Sequence, residues 1–160
     1  MAALGGLAVG LALTLAVVVL DAGGGDAGVG PNVCRLLDAA DITTVLGSAV
    51  EPGSPRVLIR PEPGRGSCGY PTSSSYGEIV VYEQRPGRAG FVASRQRAQV
   101  GGGVPVYRPL AGLGDQAFSV GGTVFVLVAD TFVVVDAQRP SREFEPLARE
   151  LAERVVRELR

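Results

Sequence analysis

The 160-residue chain contains no histidine, no lysine and no tryptophan, one methionine and only two cysteines. Each absence removes chemistry. Imidazole is the usual general base near neutral pH and the commonest metal ligand. Without it, and without lysine, a Ser–His–Asp triad, a Cys–His pair, a Ser–Lys dyad and a histidine zinc site are all excluded. Carboxylate chemistry survives, as a glycosidase-type acid pair or an oxygen-ligand cation site, but no clustered acidic motif accompanies either. The sequence asks for no cofactor and no metal. All fifteen basic residues are arginines and the net charge is −1. That balance argues against a phosphate-binding basic surface, and so against a nucleic-acid partner.

What the chain does have begins with residues 2–20, AALGGLAVGLALTLAVVVL, where Thr14 is the one polar side chain. As a helix this run would reach roughly 28 Å at 1.5 Å per residue, close to the hydrocarbon thickness of a bilayer. It reads as a signal peptide or a retained membrane anchor, with small-residue cleavage sites after Ala22 or Ala27. Gly6 and Gly10 form a GxxxG, a weak match in so glycine-rich a segment. Residues 21–30, DAGGGDAGVG, read as a flexible linker, and residues 31–160 as a single exported α+β domain.

Lipid anchoring would need a cysteine directly after the apolar run, where Asp21 stands instead. Cys34 comes later and follows Pro31-Asn32-Val33, and the other cysteine is Cys68. Two cysteines in an exported chain read first as one disulfide.

Within the domain, Asp38 can cap a short helix whose Ile42, Val45 and Leu46 share a face and which Gly47 stops. A Pro/Gly/Arg-rich stretch follows, with at most a short strand around Val57–Ile59. Glu78–Gln84 reads as a strand and Ala89–Val100 as a modest amphipathic helix ended by Gly101–Gly103. Strands 116–120, 123–129 and 132–138 are joined at Gly121-Gly122 and Asp130-Thr131 as tight hairpins. Phe144, Leu147, Ala148, Leu151, Ala152, Val155, Val156 and Leu159 form one helical stripe. Glu145–Arg149, Glu150–Arg154 and Glu153–Arg157 stand at i,i+4 on the other face. The expected fold is α+β: an antiparallel meander of about five strands, covered on one face by the C-terminal helix and shorter helices.

The motifs CRLLDAADITTVLG, SCGY and GLGDQAF, with the closing amphipathic helix, make residues 33–159 resemble a family of small exported actinobacterial proteins and lipoproteins, domain of unknown function 3558. The resemblance implies an exported α+β domain with one disulfide and no established catalytic residues. Many family members carry a lipid-modified cysteine at the end of the apolar run, which Asp21 does not provide.

The candidate partner-binding residues are Arg56, Arg60 and Arg65, a local basic patch, and Tyr70. Tyr76, Tyr82 and Tyr107 are further aromatics suited to a half-buried surface. Asp115, Asp130 and Asp136 are the acids nearest strand ends, where a hydrolase pair could be assembled. GLGDQA lacks the basic residue and following helix of a phosphate loop and reads as a turn. PTSSSYG reads as a polar hairpin connection. The expected function is a non-enzymatic, extracytoplasmic envelope module for a protein, peptide or lipid partner, attached to the membrane through residues 2–20 if these are uncleaved. The alternatives are a small-ligand carrier with a pocket between sheet and C-terminal helix, and an acid-dependent hydrolase.

Overall fold

A computed structural model describes residues 32–52, 54–62 (backbone only at 59–62), 64–100, 107–137 and 143–160. The apolar run, the linker and Gly101–Gly103 lie outside the described residues. Among the described residues, no helix is long and apolar enough to cross a membrane.

The domain opens with a single 3₁₀ turn, Val33–Arg35, and helix α1, Ala39–Leu46. Asp38 caps α1 in a reciprocal capping box with Asp41, and Gly47 closes it at φ 65°. Each device satisfies a terminal backbone group that an eight-residue helix could not leave bare. Strands β1 (Arg56–Glu62), β2 (Arg65–Pro71) and β3 (Glu78–Gln84) follow as a meander. Helix α2 (Arg88–Val100) leads to a second meander, β4 (Tyr107–Leu110), β5 (Gln116–Val120), β6 (Thr123–Val128) and β7 (Thr131–Ala137). Helix α3 (Phe144–Glu158) ends the fold.

The fold is α+β. Its antiparallel sheet has seven strands in the order β1-β2-β3-β7-β6-β5-β4, so β3 and β7 join the two meanders. The two strands beyond the expected five are β2 and β4. In β2 the sequence RGSCGYP hides an alternation, because Cys68 and Tyr70 point to one face while small Ser67 and Gly69 point to the other. The β6–β7 turn falls on Ala129-Asp130, with Ala129 at φ 51°.

One face carries the main core. Tyr70 of β2, Ile79 and Val81 of β3, Val133 and Val135 of β7, and Val124 and Val126 of β6 meet α1 and the stripe of α3. Phe144, Ala148, Leu151 and Ala152 of that stripe are all at 0% exposure. Of the surface pairs expected on α3, Arg154 holds Glu150 at 3.2 Å, whereas Arg149 turns to Glu153 at 3.2 Å and Glu145 to Arg108 at 3.7 Å.

The expectation that all helices share one face needs correction. Phe91 of α2 packs on Phe118, Leu127 and Phe132, which point away from α3, so α2 covers the opposite face. An apolar stripe specifies that a helix is buried, not which side of a sheet it crosses.

Candidate functional site

The sequence-derived candidates separate. Cys34 and Cys68 are disulfide-bonded, with Cα atoms 5.1 Å apart, and Cys68 is fully buried. The bond ties the 3₁₀ turn to β2 inside the main core. It is a staple, with Cys68 inside the core and Cys34 half-buried at its rim.

Tyr70 is not a surface residue. It is 0% exposed, and its hydroxyl donates to the Leu37 carbonyl at 2.6 Å and more distantly to Cys34 O at 3.4 Å. The ring is therefore not available to a partner alongside the arginines, contrary to the sequence expectation: β2 alternation carries it into the core beside the disulfide. Burial, aided by the negative charges of Asp38 and Asp41, pushes its hydroxyl pKa far above the ordinary phenol value.

Arg56 begins β1 and faces Glu51 at 3.7 Å, Arg60 lies further along β1, and Arg65 begins β2 and is exposed. What looked like a loop is a hairpin at the edge of the sheet. The acids do not assemble a reacting pair. Asp115 accepts from Ala129 N at 2.7 Å, Asp130 from Arg88 N at 3.2 Å, and Asp136 from Thr123 Oγ1 at 2.5 Å. Each serves a turn or a neighbouring strand. GLGDQA is likewise a turn: Gly114 has φ 59°, and a Cβ there would meet Leu127 O at 2.6 Å. In PTSSSYG, Thr72 Oγ1 donates to Gly77 O at 2.7 Å, and Tyr76 packs on Phe144. Among the described residues, no group of three His, Cys, Asp or Glu could hold a metal ion.

A polar depression of about 240 Å³ lies between α1 and the end of α3, lined by Arg35, Leu36, Asp38, Asp41, Arg154, Arg157 and Glu158. Three arginines face three acids, and Arg154 pairs with both Asp41 and Glu150. Burial raises the Asp41 carboxyl, but hydrogen bonds from Arg154 and the Asp38 backbone, with the nearby Arg157 charge, outweigh it. The net shift is downward. This is a charge-balanced tie between two helices, without a nucleophile or a free acid–base pair.

Among the described residues, the surface left open lies on the α2 side of the sheet. Register aligns Ser67, Tyr82, Val134, Phe125 and Phe118 in one row across β2, β3, β7, β6 and β5. Aromatic contacts run along it: Phe118 stacks on Phe125 at 4.5 Å, Phe125 faces Phe132 at 6.3 Å, and Phe132 meets Tyr82 at 6.4 Å. Helix α2 covers the β5–β7 end of this layer, where Phe118, Leu127 and Phe132 are buried. Towards β3, Val80, Tyr82, Val134 and Phe125 stay only half-buried. Leu58 of β1 extends the same surface; it leans with Glu78 over Gly69, whose missing Cβ would lie 2.9 Å from Leu58 and 2.3 Å from Glu78. The row was detectable in principle from alternate positions in three strands, but its exposure depends on where α2 crosses.

Comparison with protein-family models, with curated proteins and with solved structures finds no significant match. The functional reading therefore rests on the chain's own chemistry.

Proposed function

We propose that the chain is an extracytoplasmic, non-enzymatic binding module that engages a protein, peptide or lipid partner through the open half of its sheet. The observation that carries this reading is the apolar surface beside α2 formed by exposed Leu58 and half-buried Val80, Tyr82, Val134 and Phe125. Such a contiguous surface costs solvation when bare and gains when covered. The disulfide favours an oxidising compartment, and the apolar run 2–20 would deliver the domain there as leader or anchor. The resemblance to small exported actinobacterial proteins points the same way.

A small-ligand carrier has less support, since the α3 stripe is continuous with the sheet core. Carboxylate hydrolysis is not favoured either, with Asp115, Asp130 and Asp136 each held by a local hydrogen bond.

The test is cross-linked recovery of partners from an envelope preparation. Val80→Glu with Tyr82→Glu should abolish recovery obtained with the unmodified chain. Arg60→Glu with Arg65→Glu reports whether the edge hairpin contributes. Recovery unchanged by the face substitutions would remove the open surface from the account.

A further inference from the structure

We propose that helix α2 lays its arginines against an anionic lipid bilayer, so that the partner of the open sheet face is the membrane surface itself. This deepens the binding reading above and rests on it.

The net charge of −1 averages two unlike helix layers. Helix α2, RAGFVASRQRAQV, carries Arg88, Arg95 and Arg97 and no acid. Helix α3, on the other side of the sheet, carries four glutamates against three arginines, and α1 adds Asp41. Ion pairs among the described residues follow the same division. Arg149 and Arg154 of α3 are held by Glu153, Glu150 and Asp41. The α2 arginines donate to neutral acceptors instead: Arg88 to the Ala129 carbonyl at 3.3 Å, Arg95 to the Gln116 amide oxygen at 2.9 Å, and Arg97 to the Ala93 carbonyl at 3.4 Å. Residues 101–106, GGGVPV, bring no charge of their own. A cationic layer of this kind is complementary to a surface of lipid phosphates, where each basic side chain raises affinity about fivefold.

The neighbouring groups suit a membrane better than a dissolved acidic protein. Val100 ends α2 at 84% exposure. Half-buried Tyr82, whose hydroxyl donates to Gln84 at 3.2 Å, stands in the open face beside the helix. An exposed aliphatic residue and an aromatic with a polar tip, next to arginines, make the composition of a headgroup-level surface. The chain also supplies proximity. Residues 21–31 separate the apolar run 2–20 from Asn32, and at full extension this length reaches at most about 40 Å. With the run seated in a bilayer, α2 stays at high effective concentration beside the lipid. Acids set the tilt. A Cβ on Gly90 of α2 would lie 2.9 Å from Gln84 Oε1 and 3.2 Å from the Phe132 ring, whereas Glu78 and Asp136 stand towards the opposite ends of β3 and β7. The α2 end of this face turns to the bilayer and the Glu78 end away from it.

The chain has no tryptophan, so Val100→Trp reports on α2 alone. The full chain carrying it is incorporated into phosphatidylcholine vesicles, with or without about one-third phosphatidylglycerol, that contain brominated phosphatidylcholine as a contact quencher. Quenching should appear with the anionic lipid and be lost in about 0.5 M NaCl, where charges are screened within about 4 Å. Adding Arg95→Glu/Arg97→Glu should lower the ratio of docked to undocked domain about twenty-fivefold or more. Arg160→Trp, at the end of the α3 side, should stay unquenched. Absent quenching, equal quenching in neutral vesicles, quenching of Arg160→Trp, or indifference to salt or to the charge reversal overturns lipid docking. The salt series needs no arginine variant, so the proposal stands or falls even where the reversal misfolds. If docking fails while Val80→Glu with Tyr82→Glu still abolishes recovery of an envelope partner, that partner is a protein or peptide, and the open-face reading survives without the membrane.

Discussion

The Tyr70 hydroxyl reaches the Leu37 carbonyl at 2.6 Å from inside an apolar core, so one side chain both fills volume and satisfies a buried acceptor. Tyr70→Phe keeps the ring and strands that carbonyl, which should cost roughly 1–3 kcal/mol in urea unfolding. The same site links stability to alkaline pH. Burial, then Asp38 and Asp41, raise the folded pKa above the unfolded value, which is about 10. The contribution is thus intact below about pH 10 and is lost as pH rises, because the unfolded chain can ionise where the folded one resists. Tyr70→Phe should flatten the alkaline fall in melting temperature. An unchanged slope would mean that the burial of this hydroxyl does not govern it.

Between elements, the covalent link matters most where the hydrogen-bonded links are few. The 3₁₀ turn and α1 reach the sheet through the Cys34–Cys68 bond, the Tyr70 hydroxyl and a patch of apolar residues. The bond spans 34 residues, so its removal should cost about 3–4 kcal/mol by the loop-entropy argument. Cys34→Ser/Cys68→Ser, followed by denaturant unfolding, measures this; a loss under about 1 kcal/mol would mean the core alone holds the turn. The elements that the sequence makes legible are those whose pattern is complete within the element. The stripe of α3, the cap of α1 and the glycine turn between β5 and β6 all belong to that class. β2 was opaque because glycines and a proline interrupt its alternation, and its pairing partners stand on other segments. The open face was opaque for a related reason. Val80 and Tyr82 alternate visibly with Ile79 and Val81, but which pair meets solvent depends on how two helices divide the two faces.

Across the whole molecule the two faces are unequally secured. Helix α3 buries six residues on one face, and α2 buries Phe91 alone on the other. The start of α2 is fixed by Gly87 N donating to Asp130 O at 2.7 Å and by Arg88 N donating to Asp130 Oδ1 at 3.2 Å. Further along, among the described residues, Arg95 ties to Gln116 of the sheet at 2.9 Å, on the surface. An element with one buried anchor should open at lower free energy than one with six. Native-state hydrogen exchange should therefore show α2 amides exchanging by a sub-global opening while α3, β3 and β7 stay protected up to global unfolding. Phe91→Ala should lower α2 protection selectively, because it removes the ring that contacts both Phe118 and Phe132. Opening of α2 would extend the exposed apolar surface from Tyr82 and Val134 across to Phe118, so a partner that binds the enlarged face should accelerate exchange in α2 on binding. If α2 exchanges only with α3, in one cooperative step, the sheet's second face is as firmly closed as the first, and binding is restricted to the half that is already open.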